Sequence, residues 1–171
     1  MNRRRLLALF AVLPLGLSAC GWEPLYADRE TAAGMVALRE IKVAPIAERV
    51  GQQLEFGLRQ SLNPSGEPAK QRYVLNVALS QSLQNSGIQS QGLGTRGDLH
   101  LTASYRLVEV ATNKVLQTGV IHSSDSFDIQ ANGYSTVVAQ NDAARRDVEE
   151  IRREIVTRLT LFMQNKGMAS S

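Results

Sequence analysis

Two segments in the middle of the chain alternate apolar with polar residues, and this alternation restricts the fold more than any other feature. The segments are residues 73–80 and 99–107, and a further predicted strand begins at Val115 and reaches about Phe127. Alternation with a period of two places the apolar side chains on one face of a β-strand. The connection at residues 111–114 is so short that it can join only antiparallel neighbours. The sequence therefore predicts a three-stranded antiparallel meander with one apolar face.

Two other segments have the spacing of amphipathic helices. Within residues 48–62 an apolar residue recurs every four positions, and Pro64 prevents the helix from continuing. Residues 134–166 contain no proline and no glycine, and their apolar residues recur at steps of three and four. Gly167 is the predicted end of this second helix. Its outer face carries many charges, which predicts a helix face in contact with solvent.

The remaining segments complete the predicted fold. Residues 36–43 form a short β-compatible run that ends at Pro45, and a helix separates this strand from the meander, so parallel pairing is expected. The polar residues 81–97 are predicted to form either an exposed mobile loop or an extended hairpin tip. The predicted class is α+β, with two amphipathic helices packed on one face of a four-stranded, mainly antiparallel (mixed) sheet.

The first 19 residues have the composition of a secretory signal peptide. Arginines at positions 3–5 precede an apolar run of about 12 residues, whereas a transmembrane helix needs roughly 20. The sequence Leu17-Ser18-Ala19-Cys20 then matches the lipobox of bacterial lipoproteins at every position. Cys20 is the only cysteine, so it cannot form an internal disulfide. We therefore expect removal of residues 1–19 and a covalent lipid on Cys20, comprising an N-acyl chain and an S-diacylglycerol.

Charge and length describe the part that remains after the predicted cleavage. The whole chain has 19 basic and 16 acidic residues, and the three arginines of the signal peptide account for the difference. The mature chain is thus net neutral, and its charge gives no reason to expect nucleic acid as a partner. Residues 20–34 lack both periodicities and are interpreted as a tether. Residues 35–171 have the length of a single domain.

No constellation of residues in the sequence is typical of an enzyme or a metal site. His100 and His122 stand on the polar side of predicted strands, without cysteines or carboxylates at the spacing of zinc ligands. His122 precedes Ser123-Ser124-Asp125, but neighbours on one strand point to alternate faces, and a Gly-x-Ser-x-Gly turn is absent from the sequence. The glycines of residues 92–97 lack the lysine and the following helix of a phosphate-binding loop. A non-enzymatic protein without metal or cofactor is therefore predicted.

The segment after the lipobox carries a resemblance to a known family. Cys20-Gly21-Trp22 and Pro24-Leu25-Tyr26, together with the predicted order of elements, resemble the lipopolysaccharide-assembly lipoproteins of the LptE family. The resemblance implies a plug, in a one-to-one complex, inside the outer-membrane β-barrel LptD. Such a plug helps the barrel to assemble and assists delivery of lipopolysaccharide to the outer leaflet. Gly21, in place of an aspartate, implies lipid anchoring at the periplasmic side of the outer membrane.

The resemblance also indicates candidate contacts with lipopolysaccharide. Basic residues near the loop between the second and third strands, and near the start of the last helix, have this role in the family. The matching candidates here are Arg96, Arg145 and Arg146, and arginine suits bidentate binding of phosphate. Gln140, close to where the basic helix residue of the family would align, is neutral and departs from the pattern.

Two further hypotheses remain open from the sequence. One is an accessory lipoprotein of an envelope ABC transport system, which would also be small, lipidated and α+β. The other is a periplasmic hydrolase that uses His122 or His100.

Overall fold

One mixed sheet of four strands organises the computed structural model, which describes residues 36–88 and 94–169. The strands are β1 (Ile41–Val43), β2 (Tyr73–Ile88), β3 (Gly94–Glu109) and β4 (Lys114–Asp128). They lie side by side in chain order. β1 is parallel to β2, and the other neighbours are antiparallel. This topology confirms the predicted mixed sheet and its meander.

The hairpin of β2 and β3 is longer than the apolar alternation indicates. Residues 81–88 and 94–97 are paired strand residues, with Ser86 opposite Arg96. The prediction of a loop over these residues is wrong, and the alternative prediction of an extended hairpin tip is correct. The ladder needs only backbone hydrogen bonds, so exposed polar residues continue strands after the apolar pattern has ended. Residues 89–93 lie outside the described part of the chain.

β1 is shorter than predicted. Residues 36–38 form a helical turn, in which the amide of Arg39 donates to the carbonyl of Val36 at 3.1 Å. The prediction that Val36 and Leu38 belong to the strand is therefore wrong. The parallel pairing itself is present, and it ends where the amide of Ala44 donates to the carbonyl of Leu75 at 2.9 Å, just before Pro45.

The two predicted amphipathic helices are α1 (Arg49–Leu62) and α2 (Gly133–Ala169). Leu54, Leu58 and Leu62 of α1 are buried, and each contributes roughly 1.5–3 kcal/mol through burial of its side chain. At the end of α1, the Asn63 amide donates to the Arg59 carbonyl at 2.8 Å. α2 continues through residue 167 to Ala169, so the predicted end at Gly167 is wrong. A single glycine costs only about 1 kcal/mol within a helix and does not necessarily end it.

Both helices pack on the same face of the sheet, as predicted. Odd-numbered residues of β2 and β3, and of β4 from Gln117 onward, point toward the helices and form the main core with them. The buried members of these strands are Tyr73, Leu75, Leu101, Ala103, Tyr105, Leu107 and Ile121. Even-numbered residues of these segments point to the opposite face, which no described helix covers. We call this opposite surface the open face. At the start of β4 the register shift beside Val108 reverses this pattern, and Leu116 packs on the core.

Candidate functional site

The three arginines predicted to contact a ligand lie in the half of the molecule where β2 ends and β3 begins. We call the end of the sheet formed by Ser86, Arg96 and Asp128 the distal end. Arg96 belongs to β3, and Arg145 and Arg146 belong to α2. All three side chains are mostly exposed, with exposed fractions of 60%, 75% and 55% in that order. Each one faces a carboxylate.

Arg146 is held against the edge strand of the sheet. Its Nε donates a hydrogen bond to Oδ2 of Asp125 on β4, while Oδ1 of Asp125 accepts from the Ser126 amide at 2.9 Å. The bond from Arg146 lowers the pKa of Asp125, and the same bond raises the pKa of Arg146. Both groups are therefore charged at neutral pH, and the guanidinium has a fixed direction.

Arg145 has a weaker attachment. Its Nη2 lies 2.9 Å from Oδ1 of Asp142, one helical turn earlier on α2. An exposed pair of this kind contributes at most about 1 kcal/mol. The guanidinium can therefore leave Asp142 for an incoming anion at little energetic expense, and Arg145 is the most exposed of the three candidates.

Arg96 lies beside a carboxylate that already has two hydroxyl donors. Its Nε is 4.0 Å from Oδ1 of Asp98, the outer limit of an ion pair. Ser126 Oγ donates to Oδ1 of Asp98 at 2.6 Å, and Ser86 Oγ donates to Oδ2. These two bonds are the main reason that the pKa of Asp98 is lowered. They also join β2, β3 and β4 at the distal end, so Asp98 is held mainly by the serines.

The arginines do not form one surface. Arg96 and Asp98 are even-numbered residues of β3 and lie on the open face, whereas Gly97 and Leu99, which alternate with them, are buried. Asp125, the partner of Arg146, is an odd-numbered residue of β4 on the helix side. The structure thus brings Arg145 and Arg146 together on α2 and separates both from Arg96 by the thickness of the sheet.

A buried carboxylate beside Arg146 was not predicted. Asp147 of α2 is only 2% exposed, and its Oδ1 accepts a hydrogen bond from Ser123 Oγ at 2.6 Å. Its Oδ2 has no partner among the described residues. Burial is the main cause that raises the pKa of Asp147, and the nearby charge of Asp125 raises it further. The sequence did contain a signal, because position 147 lies four residues before buried Ile151 on the same stripe of the helix.

The residues of the hydrolase hypothesis do not converge. Nδ1 of His122 lies 3.0 Å from Oγ1 of Thr102 on the open face. Ser123 points to the other side of the sheet, where it donates to Asp147. As the alternation predicted, a nucleophile and a base are separated by the sheet. Within residues 36–88 and 94–169, no group of three or more His, Cys, Asp or Glu side chains could hold a metal ion.

The membrane-related predictions concern the other end of the chain. Cys20, the signal peptide at 1–19 and the tether at 20–34 lie outside the described residues. Within the part that the structure describes, no helix is both long and apolar enough to cross a membrane.

Comparisons with known proteins give a consistent result. The family model described as "LptE: Lipopolysaccharide-assembly" matches residues 38–159. No curated protein matches the chain. Among solved structures, a candidate lipoprotein from Caulobacter crescentus CB15 is 21% identical with a TM-score of 0.63, over 78% of this chain and 96% of that one. A minor lipoprotein from Acinetobacter baumannii is 16% identical with a TM-score of 0.54, over 72% and 92%. At these identities the two structures show a shared fold alone.

Proposed function

Because the chain belongs to the LptE family of lipopolysaccharide-assembly lipoproteins, we propose that it plugs the outer-membrane β-barrel LptD in a one-to-one complex. In this complex it helps the barrel to assemble and assists delivery of lipopolysaccharide to the outer leaflet. The match to the family model over residues 38–159 carries the proposal. No observation favours an accessory lipoprotein of an ABC transport system.

The surface of the domain supports this role. A protein seated inside a wide barrel meets a polar, water-filled lumen. The centre of the open face is polar and mostly uncharged, with rows that pair Ser80, Thr102 and His122, and Ser82, His100 and Ser124. Such side chains form hydrogen bonds with the wall of a lumen without burying a charge. The helices cover the apolar face, so the domain needs no membrane contact of its own.

The lipid anchor would lie outside the barrel. We propose that Cys20 carries the N-acyl and S-diacylglycerol groups and holds the protein at the periplasmic side of the outer membrane. Several acyl chains are needed for stable anchoring, since one chain gives only marginal membrane affinity. The stretch at 20–34 would then connect the anchor to the domain.

Lipopolysaccharide would be contacted by arginines at the distal end. Arg145 and Arg146 are neighbours on α2, and their guanidinium groups suit the phosphates of this ligand. Arg96 would make a separate contact because it lies on the open face. Arg145 would contribute most to binding of lipopolysaccharide, since it is the most exposed of the three and is held only by Asp142.

A pull-down from detergent-solubilised outer membranes tests the proposed function. The tagged full chain is captured, washed at high salt, and its bound proteins are identified and quantified by mass spectrometry. Recovery of one large β-barrel at equal stoichiometry is the expected result. Recovery of inner-membrane transporter components without a barrel would overturn the proposal and favour the accessory-lipoprotein hypothesis.

A further inference from the structure

β2 has a long edge without a described partner. β1 pairs with this edge only at Tyr73, Val74 and Leu75. From Asn76 to Ile88 the same edge pairs with no other strand in the described part of the chain. A row of backbone donors and acceptors is therefore available there for another strand.

The hydrogen bonds to β1 identify the groups that face outward. The carbonyl of Leu75 accepts from Ala44 at 2.9 Å, and the amide of Tyr73 donates to the carbonyl of Glu40 at 3.2 Å. Odd-numbered residues of β2 thus direct their amides and carbonyls away from β3. The register with β3 is continuous from Tyr73 to Ser86, so the same direction continues along the strand. The outward groups belong to Val77, Leu79, Gln81, Leu83 and Asn85.

This edge lacks the features that normally prevent strand addition. Such features are charged side chains, prolines and bulges. From Val74 to Ile88 the chain has no charged residue and no proline. β4, at the other edge of the sheet, differs: it contains Lys114 and Asp128, and Arg158 Nη1 donates to the carbonyl of Val120 at 3.4 Å. The edge of β2 is therefore the one suited to receive a strand.

The side chains beside the edge define what an added strand must present. On the helix side, Leu83 is 46% exposed, although its register partner Leu99 is buried against Ala143 and Ala144 of α2. An apolar side chain from an added strand would cover Leu83. On the open face the neighbours are the uncharged polar residues Ser80, Ser82 and Gln84. The matching strand alternates apolar with uncharged polar residues.

We propose that the edge of β2 from Val77 to Asn85 pairs with an unpaired strand of the barrel chain during its assembly. This inference rests on the proposed function, which supplies the partner. Strands of outer-membrane barrels alternate apolar and polar residues, which is the pattern that this edge requires. Before the barrel closes, its terminal strands have unsatisfied backbone groups. A one-to-one complex leaves no second copy of this chain to occupy the edge.

A single proline at Gln81 tests the backbone contact. Gln81→Pro removes an outward amide and leaves the hydrogen bonds to β3 in place, as proline on an edge strand does. Gln81→Ala is the matched control, because it removes the same side chain and keeps the amide. In a pull-down with a barrel chain that lacks one terminal strand and therefore cannot close, the proline variant should retain on the order of tenfold less barrel chain than the alanine variant, since a buried carbonyl loses its donor.

Hydrogen exchange resolved to single amides provides a second readout that needs no mutation. In the isolated wild-type chain, the amides of Leu79, Gln81 and Leu83 should exchange fast, and those of Ser80 and Ser82 slowly. In a complex with a barrel chain that lacks one terminal strand and therefore cannot close, the first three amides should become at least about tenfold slower. Only a strand that adds to this edge produces protection at alternate residues.

The outcomes separate the two proposals. If the wild-type chain retains no barrel, the proposed function fails and this inference fails with it. If the wild-type chain and Gln81→Pro retain equal barrel and the odd-numbered amides stay unprotected, only the strand addition is overturned. If protection develops in the isolated chain as its concentration rises, a second copy occupies the edge, which also overturns the inference.

Discussion

Asp147 is the residue at which burial and charge conflict most directly. The folded state raises the pKa of Asp147, mainly through burial, and Oδ2 lacks a partner within the described residues. A raised pKa means that the folded chain binds this proton more tightly than the unfolded chain does. The free energy of unfolding therefore increases as pH falls through the folded-state pKa, and the ionised carboxylate is destabilising at neutral pH.

Asp147→Asn should therefore stabilise the domain at pH 7. Asparagine can still accept the hydrogen bond from Ser123, and it removes a buried, half-satisfied charge, so we expect a gain of roughly 1 kcal/mol. The advantage over wild type should shrink as pH is lowered below the ordinary aspartate pKa of about 3.9, where Asp147 is protonated in both states. Urea unfolding at several pH values measures this. Asp142→Asn, at an exposed position of the same helix, is the control, and an equal gain in both variants would contradict the argument.

Arg145 gives a second prediction at the residue scale. Arg145→Ala should weaken binding of purified lipopolysaccharide by roughly tenfold, because hydrogen bonds to a charged group are lost. Stability should change by less than about 0.5 kcal/mol, as is usual at an exposed site. Arg153→Ala is the matched control, since Arg153 is also exposed and pairs with Glu150 three residues earlier. Equal affinities for the two variants would remove Arg145 from the site.

Among the elements, the β3–β4 pair depends on two glycines opposite aromatic rings. Gly97 pairs with Phe127, and Gly119 pairs with Tyr105. A Cβ added at Gly119 would lie 2.5 Å from Cε1 of Tyr105, whose side chain is buried. The ring therefore occupies the space above the glycine, as in other sheets where an aromatic residue covers a glycine on the neighbouring strand.

Gly119→Ala should destabilise the domain by about 1–3 kcal/mol, because the buried Tyr105 ring has to move away from an overpacked position. The free energy of unfolding in urea measures the loss. Gly133→Ala is the control, since an added Cβ there meets nothing within 4 Å. A loss at Gly119 no larger than at Gly133 would mean that the ring adjusts freely.

The same elements show what the sequence can predict. Apolar alternation located β2 and β3 and the face of the sheet that packs on the helices, because burial decides both. It did not predict residues 81–88 as strand, since backbone hydrogen bonds to β3 extend the hairpin without an apolar signal. Val36 was placed in a strand because a short apolar run does not distinguish a strand from a helical turn.

The candidate site was predictable only in part. Positions 96, 145 and 146 could be selected by residue type and by resemblance. The partners of these arginines depend on cross-strand register and on helix packing, as the pair of Arg146 with Asp125 shows. The same two features determine that Arg96 lies on the open face, away from Arg145 and Arg146. Asp147 lies within a charged run that is typical of a solvent-exposed helix face, so the burial of its side chain between α2 and β4 was not predicted.

At the scale of the whole molecule, charge balance predicts that the two proposed partners respond differently to salt. The predicted mature chain is net neutral, so a complex with the barrel would depend on shape and short-range hydrogen bonds. Raising NaCl from 0.1 to 1 M shortens the Debye length from about 10 to 3 Å. Exposed guanidinium–phosphate contacts should therefore weaken, while the barrel complex should not.

We expect barrel retention in the pull-down to change less than about twofold between 0.1 and 1 M NaCl. Binding of lipopolysaccharide to the same purified chain should fall by roughly tenfold or more, since its contacts at Arg145 and Arg146 are exposed and screened. Arg145→Ala should show a smaller salt dependence than Arg153→Ala, because one of the screened contacts is already missing. Loss of the barrel at high salt would instead indicate that local charge patches hold the complex, despite the neutral total.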